Sequence, residues 1–250
     1  MKLVQLGATA MADSHITETL GWWDGDTDCT LVVSRPSTDP ELWNEYLTGA
    51  LRSYRKHGVE CALNFDDIKD GHDTRIFFAA INTAGRVVGG VRAKGPLLAA
   101  EDSHAVVEWQ GHPAQHAVAK VISDRLPFGV VEMKTAWVAD EPDRNRCLTK
   151  TLARTALTAM VLLDAQFVMA TAATHVLDRW RSSGGVVAAK IPAAAYPDER
   201  YRTKMMWWDR RTFANHAEPN QVSKMLAEMR LLSDRMYHFA GTDRARESGT

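Results

Sequence analysis

Cysteine is scarce in this chain, with only Cys29, Cys61 and Cys147 among 250 residues. Their odd number and wide spacing exclude a disulfide framework and a CxxC pair, so a reducing compartment is the expected setting. Neither sign of charge dominates. Lys and Arg number 30 against 31 Asp and Glu, a formal net charge of -1, which argues against general nucleic-acid binding. No apolar run approaches the ~20 residues of a membrane-spanning helix. The first residues have a short apolar start but lack a basic region followed by an apolar core, so they make a poor signal peptide. A cytoplasmic protein with no membrane span and no nucleic-acid partner is expected.

What is present suits a globular domain: 45% hydrophobic and 24% charged residues, in a chain long enough to bury a substantial core. Residues 1 to 28 read as an N-terminal extension. Asp24, Asp26 and Asp28 alternate as in a calcium loop, but Cys29 and Arg35 stand where glycine and glutamate are required, which excludes an EF-hand. Cys29 to Ser34 suits a strand. Asp39 and Pro40 signal a helix start, Leu42, Tyr46, Ala50, Leu51 and Tyr54 mark its apolar stripe, and His57-Gly58 ends it. Strands over 75 to 82 and 86 to 94 flank a glycine-containing turn, the pattern of a hairpin. A long connection, 95 to 128, carries a helix from Pro113 to about Arg125. Later come strands at 166 to 171, 185 to 190 and 201 to 208, a helix at 173 to 182, and a C-terminal amphipathic helix within 213 to 240. Residues 241 to 250 read as a disordered tail.

The most informative stretch is 129 to 163. Val130, Val131, Trp137 and Val138 suit a strand, Asp140, Pro142 and Asp143 break it, and Leu148, Leu152, Ala156, Ala159 and Leu163 share one face of the following helix. A strand that feeds a helix through a turn carrying Arg144 and Arg146 presents free amides and a positive dipole end, a natural phosphate site.

This layout resembles the central motif of the GNAT acyltransferase superfamily, whose turn cradles the pyrophosphate of acyl-coenzyme A. Arg144 fits the motif's first position, while Cys147 and Thr149 replace its glycines. The resemblance spans residues 29 to 212. It implies an α/β (α+β) fold with a mixed, mostly antiparallel sheet and helices on both faces. The run from Phe65 to Leu98 is similar to acyl-homoserine-lactone synthases and long-chain N-acyl amino acid synthases, through Phe65, Asp66, Gly89, Arg92, Pro96 and Leu97. Glu132 matches a glutamate of the lactone synthases, whereas Lys134 and Thr135 replace their serine and arginine.

The implied activity is N-acyl transfer from acyl-CoA or acyl carrier protein, as co-substrate, to the amine of a small molecule or amino acid, with no prosthetic group. Glu132 is the candidate general base, since burial in an apolar strand would raise its pKa; equally, Glu132 and Lys134 could simply pair on one strand face. Backbone amides near Val138 and Ala139 would hold the thioester oxygen. Arg144, Arg146 and amides from Cys147 through Leu148 to Thr149 would bind phosphate. Asp66, Arg92, Lys134, Trp180 and Tyr201 are the acceptor-side candidates. Trp180 stands where the family carries an acidic tyrosine, leaving Ser182, Ser183, Tyr201 or water to protonate the thiolate. Trp22, Trp23, Trp207 and Trp208 could line an acyl tunnel or belong to the core. His104, Glu108, His112 and His116 recur every four residues, but Gly111 and Pro113 interrupt that helix and no metal is expected. The alternative to an enzyme is a non-catalytic GNAT-like module that binds a thioester, lipid or protein partner.

Overall fold

In the computed structural model, eight strands form one sheet in the order β1-β2-β3-β4-β5-β6-β8-β7. The structure describes the backbone of residues 18–140 and 142–247, and the side chains of 18–140 and 147–234. The strands are β1 (Leu20–Asp24), β2 (Cys29–Ser34), β3 (Ile76–Asn82), β4 (Val87–Lys94), β5 (Val130–Val138), β6 (Phe167–Ala173), β7 (Val186–Val187) and β8 (Thr203–Asp209). The helices are α1 (Pro40–Lys56), α2 (Phe65–Ile68), α3 (His104–Glu108), α4 (Gln115–Ser123), α5 (Pro142–Leu162), α6 (Leu177–Arg181) and α7 (Pro219–Glu247). Every strand pair is antiparallel except β5 with β6. This is the mixed, mostly antiparallel α/β architecture expected. None of the described helices is long and apolar enough to cross a membrane.

Strand periodicity sorts the core into two layers. Phe78, Val131, Val168 and Trp208 point to one face, where Leu148, Leu152, Ala156 and Met160 of α5 and Met225 of α7 cover them. Phe77 and Ala79 point to the other, under Trp43, Tyr46 and Leu47 of α1. On that second face Val130, Met169 and Trp207 lie beneath Ala105 of α3, Trp109 and Val118 of α4. Close approach of α1 depends on two glycines. A methyl group at Gly49 would stand 2.1 Å from the Trp137 ring, and one at Gly90 would meet Phe78 O at 2.4 Å and Tyr46 at 2.7 Å. The Asp39 carboxylate caps α1 by accepting from Leu42 N at 3.1 Å, with Pro40 in the first turn.

Several boundaries differ from the sequence reading. The sheet begins inside the N-terminal extension, because Leu20 and Trp22 alternate as buried residues of β1 against β2. Two short α-helices, not one, occupy the 95 to 128 connection: Ser103 Oγ accepts from Ala105 N and starts α3, which has ended before Gly111 adopts φ +73°. The strand foreseen at 185 to 190 shrinks to two residues. The foreseen disordered tail is helical as far as Glu247. One glycine costs only about 1 kcal/mol in a helix interior, and the residues after Gly241 include no proline, so nothing there forces an end; residues 248–250 lie outside the described ones.

Candidate active site

A cleft opens where β5 and β6, the one parallel pair among the described strands, part. β5 and β6 are in register from Val130 opposite Phe167 to Met133 opposite Ala170. Beyond that point β5 stays with β4 as far as Val138, and β6 stays with β8 as far as Ala173. The V between them holds a cavity of about 440 Å³. Lys134 to Val138 form one wall and Thr171 to Ala173 the other, with Tyr54, Glu108, Trp180, Tyr196 and Tyr201 around them.

A bulge shapes the β5 wall. Gly90 pairs with Trp137 and Arg92 with Lys134, so Thr135 and Ala136 together oppose the single residue Val91. Thr135 takes a φ of +55°, an outlying conformation for a β-branched residue. Its neighbours hold it there. Tyr46 donates its hydroxyl to Thr135 O at 2.7 Å, and Arg92 Nε donates to Thr135 Oγ1 at 3.1 Å. Arg92 is itself fixed by Asp73 at 2.7 Å and Thr74 at 3.0 Å.

At the apex, β5 grips both ends of α3. Glu132 is fully buried, and its carboxylate accepts from Ser103 Oγ at 3.2 Å, His104 N at 2.9 Å and Ala105 N at 3.2 Å. It therefore caps the start of α3, where a carboxylate also meets the positive end of the helix. Lys134, on the same strand face, reaches the other end. Its Nζ donates to Glu108 Oε1 at 2.5 Å and lies 2.9 Å from His104 Nδ1. Thr171 Oγ1 donates to the same Glu108 oxygen at 2.9 Å, and His104 Nδ1 is 3.1 Å from it. A five-residue helix has no independent stability, so these contacts and buried Ala105 hold it in place.

The electrostatics follow from that packing. Burial alone would raise the Glu108 carboxyl, but the Lys134 ammonium and His104 outweigh it and hold the pKa at about 2. Burial likewise opposes the charge on Lys134, yet Glu108 and then Glu132 push its pKa above the usual lysine value. Tyr196 rises to about 12 through burial, reinforced by Glu108 and opposed by Lys134. Tyr54 is raised by burial as well, against the pull of Lys134 and Arg92.

Among the residues singled out from sequence, Lys134, Val138, Thr149, Trp180 and Tyr201 line the cleft. Glu132 and Arg92 are buried behind its wall, one in the cap and one behind the bulge. Glu132 and Lys134 do not simply pair; each takes one end of α3. The Ala139 amide is spent on Val88 O at 2.7 Å, so it is not free to hold an oxyanion. Leu148 is a core residue, Cys147 is exposed, and Asp66 lies at the surface paired with Lys69 at 2.9 Å. The side chains of Arg144 and Arg146 lie outside the described residues. Ser182 and Ser183 donate to Arg179 O and Trp180 O, and Ser183 also accepts from Trp208. Trp22, Trp207 and Trp208 are core, and Trp23 is 55% exposed. His112 caps the turn into α4 by accepting from Ala114 N at 3.0 Å.

Sequence reasoning did not give functional roles to Tyr54, His104, Glu108, Thr171 or Tyr196. For two of them a signal existed: the four-residue spacing of His104 and Glu108 on one helix, read there only as a metal pattern.

No protein-family model matches the chain. The uncharacterized protein Rv1356c of Mycobacterium tuberculosis (strain ATCC 25618 / H37Rv) is 61% identical over 232 residues, 93% of this chain and 88% of the relative. The uncharacterized protein Mb1391c of Mycobacterium bovis (strain ATCC BAA-935 / AF2122/97) matches over the same length with the same identity. Among solved structures, FeeM, an N-acyl amino acid synthase from uncultured soil microbes, has a TM-score of 0.51 at 11% identity, over 78% of this chain and 97% of that one. The AHL synthase LasI also gives 0.51, at 12% identity, over 72% of this chain and 90% of that one.

Proposed function

We propose that this chain, which belongs to the family of the uncharacterized mycobacterial protein Rv1356c and has the GNAT fold, is an N-acyltransferase. It moves an acyl group from acyl-CoA or acyl carrier protein to the amine of a small molecule. The observation that carries this reading is the splayed β5–β6 cleft with the Lys134–Glu108–Thr171 cluster at its apex. FeeM, described as an N-acyl amino acid synthase, shares the fold and is consistent with it.

The thioester lies along the open edge of β5, with its acyl chain in the cleft. The start of α5, with Arg144 and Arg146, takes the phosphates of the donor. The neutral amine attacks the thioester carbon, so a C–N bond forms as the C–S bond breaks. Lys134 supplies a fixed positive charge beside the developing oxyanion. Tyr196, kept protonated by a pKa of about 12, gives its proton to the leaving thiolate and regains one from the nitrogen. A carboxylate held at about 2, as Glu108 is, is too weak a base for that proton. Glu132 acts through α3, as a positioning residue.

Thiol release with acyl-CoA and acyl carrier protein tests the reading. Tyr196→Phe should lower kcat about 10²-fold with donor binding kept, and unchanged turnover would remove Tyr196 from the mechanism. If neither donor binds or releases thiol, the chain is a non-catalytic module of the same fold.

A further inference from the structure

The inner end of the cleft is closed by a polar bridge between its two walls. Lys134 of β5 and Thr171 of β6 both donate to Oε1 of Glu108, at 2.5 and 2.9 Å. One carboxylate oxygen thus ties the strands together just beyond their last paired residues, Met133 and Ala170. Further inward on the same face stand Glu132, which already has its three donors, and its register partner Met169, both fully buried. On the opposite face Leu152 of α5, 1% exposed, joins Met133 and Ala170 in the core. The open β6 wall, Thr171 to Ala173, is about 10 Å long at the rise of a strand. An acyl chain could pass the bridge only by parting the Lys134–Glu108 pair. Separating a buried pair is strongly unfavourable, because each charge is left without its partner, and methylene groups bring no hydrogen bond in exchange.

We propose that the Lys134–Glu108–Thr171 bridge is the stop that sets acyl length, and that the donors carry short acyl groups, from acetyl to hexanoyl, rather than long chains. Because the thioester carbonyl meets the Lys134 ammonium, the acyl carbons begin at the inner end of the cleft. There they have only the apolar surface of Met133, Ala170 and Ala172 to lie against. In an open apolar tunnel each added methylene would raise affinity about fourfold; here that gain ends at the bridge. The identity of the ligand as an acyl group rests on the acyl-transfer reading, whereas the closure of the cleft rests on the hydrogen bonds alone.

Two measurements on the full chain test it: calorimetry with the unreactive thioethers S-ethyl-, S-hexyl- and S-decyl-coenzyme A, and thiol release from acetyl, hexanoyl and decanoyl thioesters of coenzyme A and of acyl carrier protein. The ethyl or hexyl thioether should bind at least tenfold more tightly than the decyl one, and kcat/KM should favour acetyl or hexanoyl over decanoyl by at least as much. Affinity or kcat/KM that climbs from six-carbon to ten-carbon chains overturns the proposal. In the double variant Glu108→Ala, Lys134→Ala the bridge is gone, and the ratio of S-decyl to S-ethyl affinity should rise at least tenfold. An unchanged ratio in the folded variant means that something else ends the cleft, and overturns the assignment. If the double variant does not fold, Thr171→Ala, which removes one arm of the bridge, replaces it with a smaller expected rise and the same overturning result. Short-chain binding without thiol release would sink the enzyme and leave the length limit standing. Thiol release that favours decanoyl would do the reverse, and no binding or release with any compound would sink both.

Discussion

Two buried charge clusters lie on opposite faces of the sheet, and they differ in one respect. Arg154 of α5, 1% exposed, donates to Asp24 of β1 at 2.8 Å, to Glu228 of α7 at 2.8 Å and to Gln221 at 3.2 Å. The second oxygen of Asp24 accepts from Thr27 at 2.7 Å and Thr151 at 2.9 Å. This cluster is closed around its cation, and it joins the edge strand to two helices. The Lys134–Glu108 cluster is also buried, but one oxygen of its carboxylate, Glu108 Oε2, has no hydrogen-bond partner among the described residues, and Glu108 is a lining residue of the cleft. Burial and ion pairing alone therefore do not mark a functional site.

The sharpest way to break this comparison is Arg154→Met. It strands Asp24 and Glu228 without their cation and should cost about 3–5 kcal/mol of stability, read as a lower urea midpoint; a loss below 1 kcal/mol would mean the cluster holds nothing. Acid titration sharpens the contrast, because the two glutamates shift in opposite directions. Glu108 falls from 4.5 to about 2, so its contribution is complete above pH 4.5 and disappears as pH drops through about 2. Glu228 is raised, mainly by burial against the pull of Arg154, so its proton-linked contribution is complete below 4.5 and fades as pH rises through its folded value. Urea midpoints between pH 2 and 7 for Glu108→Gln and Glu228→Gln should diverge from wild type with opposite slopes, and parallel slopes would refute the assignment. The smallest effect is expected for Tyr46→Phe. Loss of its bond to Thr135 O should cost about 1 kcal/mol, with a drop in turnover if the bulge positions the thioester; full activity would free the bulge from that role.

Much of the fold was legible in the sequence because periodicity and caps are local. The Asp39-Pro40 start, the 75 to 94 hairpin and the β5–α5 unit all stand where their residues placed them. The edge strand β1 was missed because residues 1 to 28 resisted assignment. Within the site, Lys134, Val138, Thr149, Trp180 and Tyr201 were expected and do line the cleft. Glu132 was expected as a base because an isolated carboxylate in an apolar strand looks desolvated and unmet. Its three donors come from Ser103, His104 and Ala105, on a helix whose docking no local pattern announces.

By itself, then, the sequence determined most of the strands and helices, and that a basic segment carrying Arg144 and Arg146 follows β5, since backbone propensity and 2.0- or 3.6-residue periodicity act over neighbouring residues. Only the tertiary structure decided which carboxylate has donors on both oxygens, as Glu132 does, and which on one, as Glu108 does. Apart from His104, four residues before Glu108, the donors of Glu108 and Glu132 are brought by packing from 26 or more residues away, including Lys134 at a separation of 26 and Thr171 at 63. Hydrogen-bond satisfaction is a property of the packed neighbourhood, and that neighbourhood exists only once α3 has docked against β5.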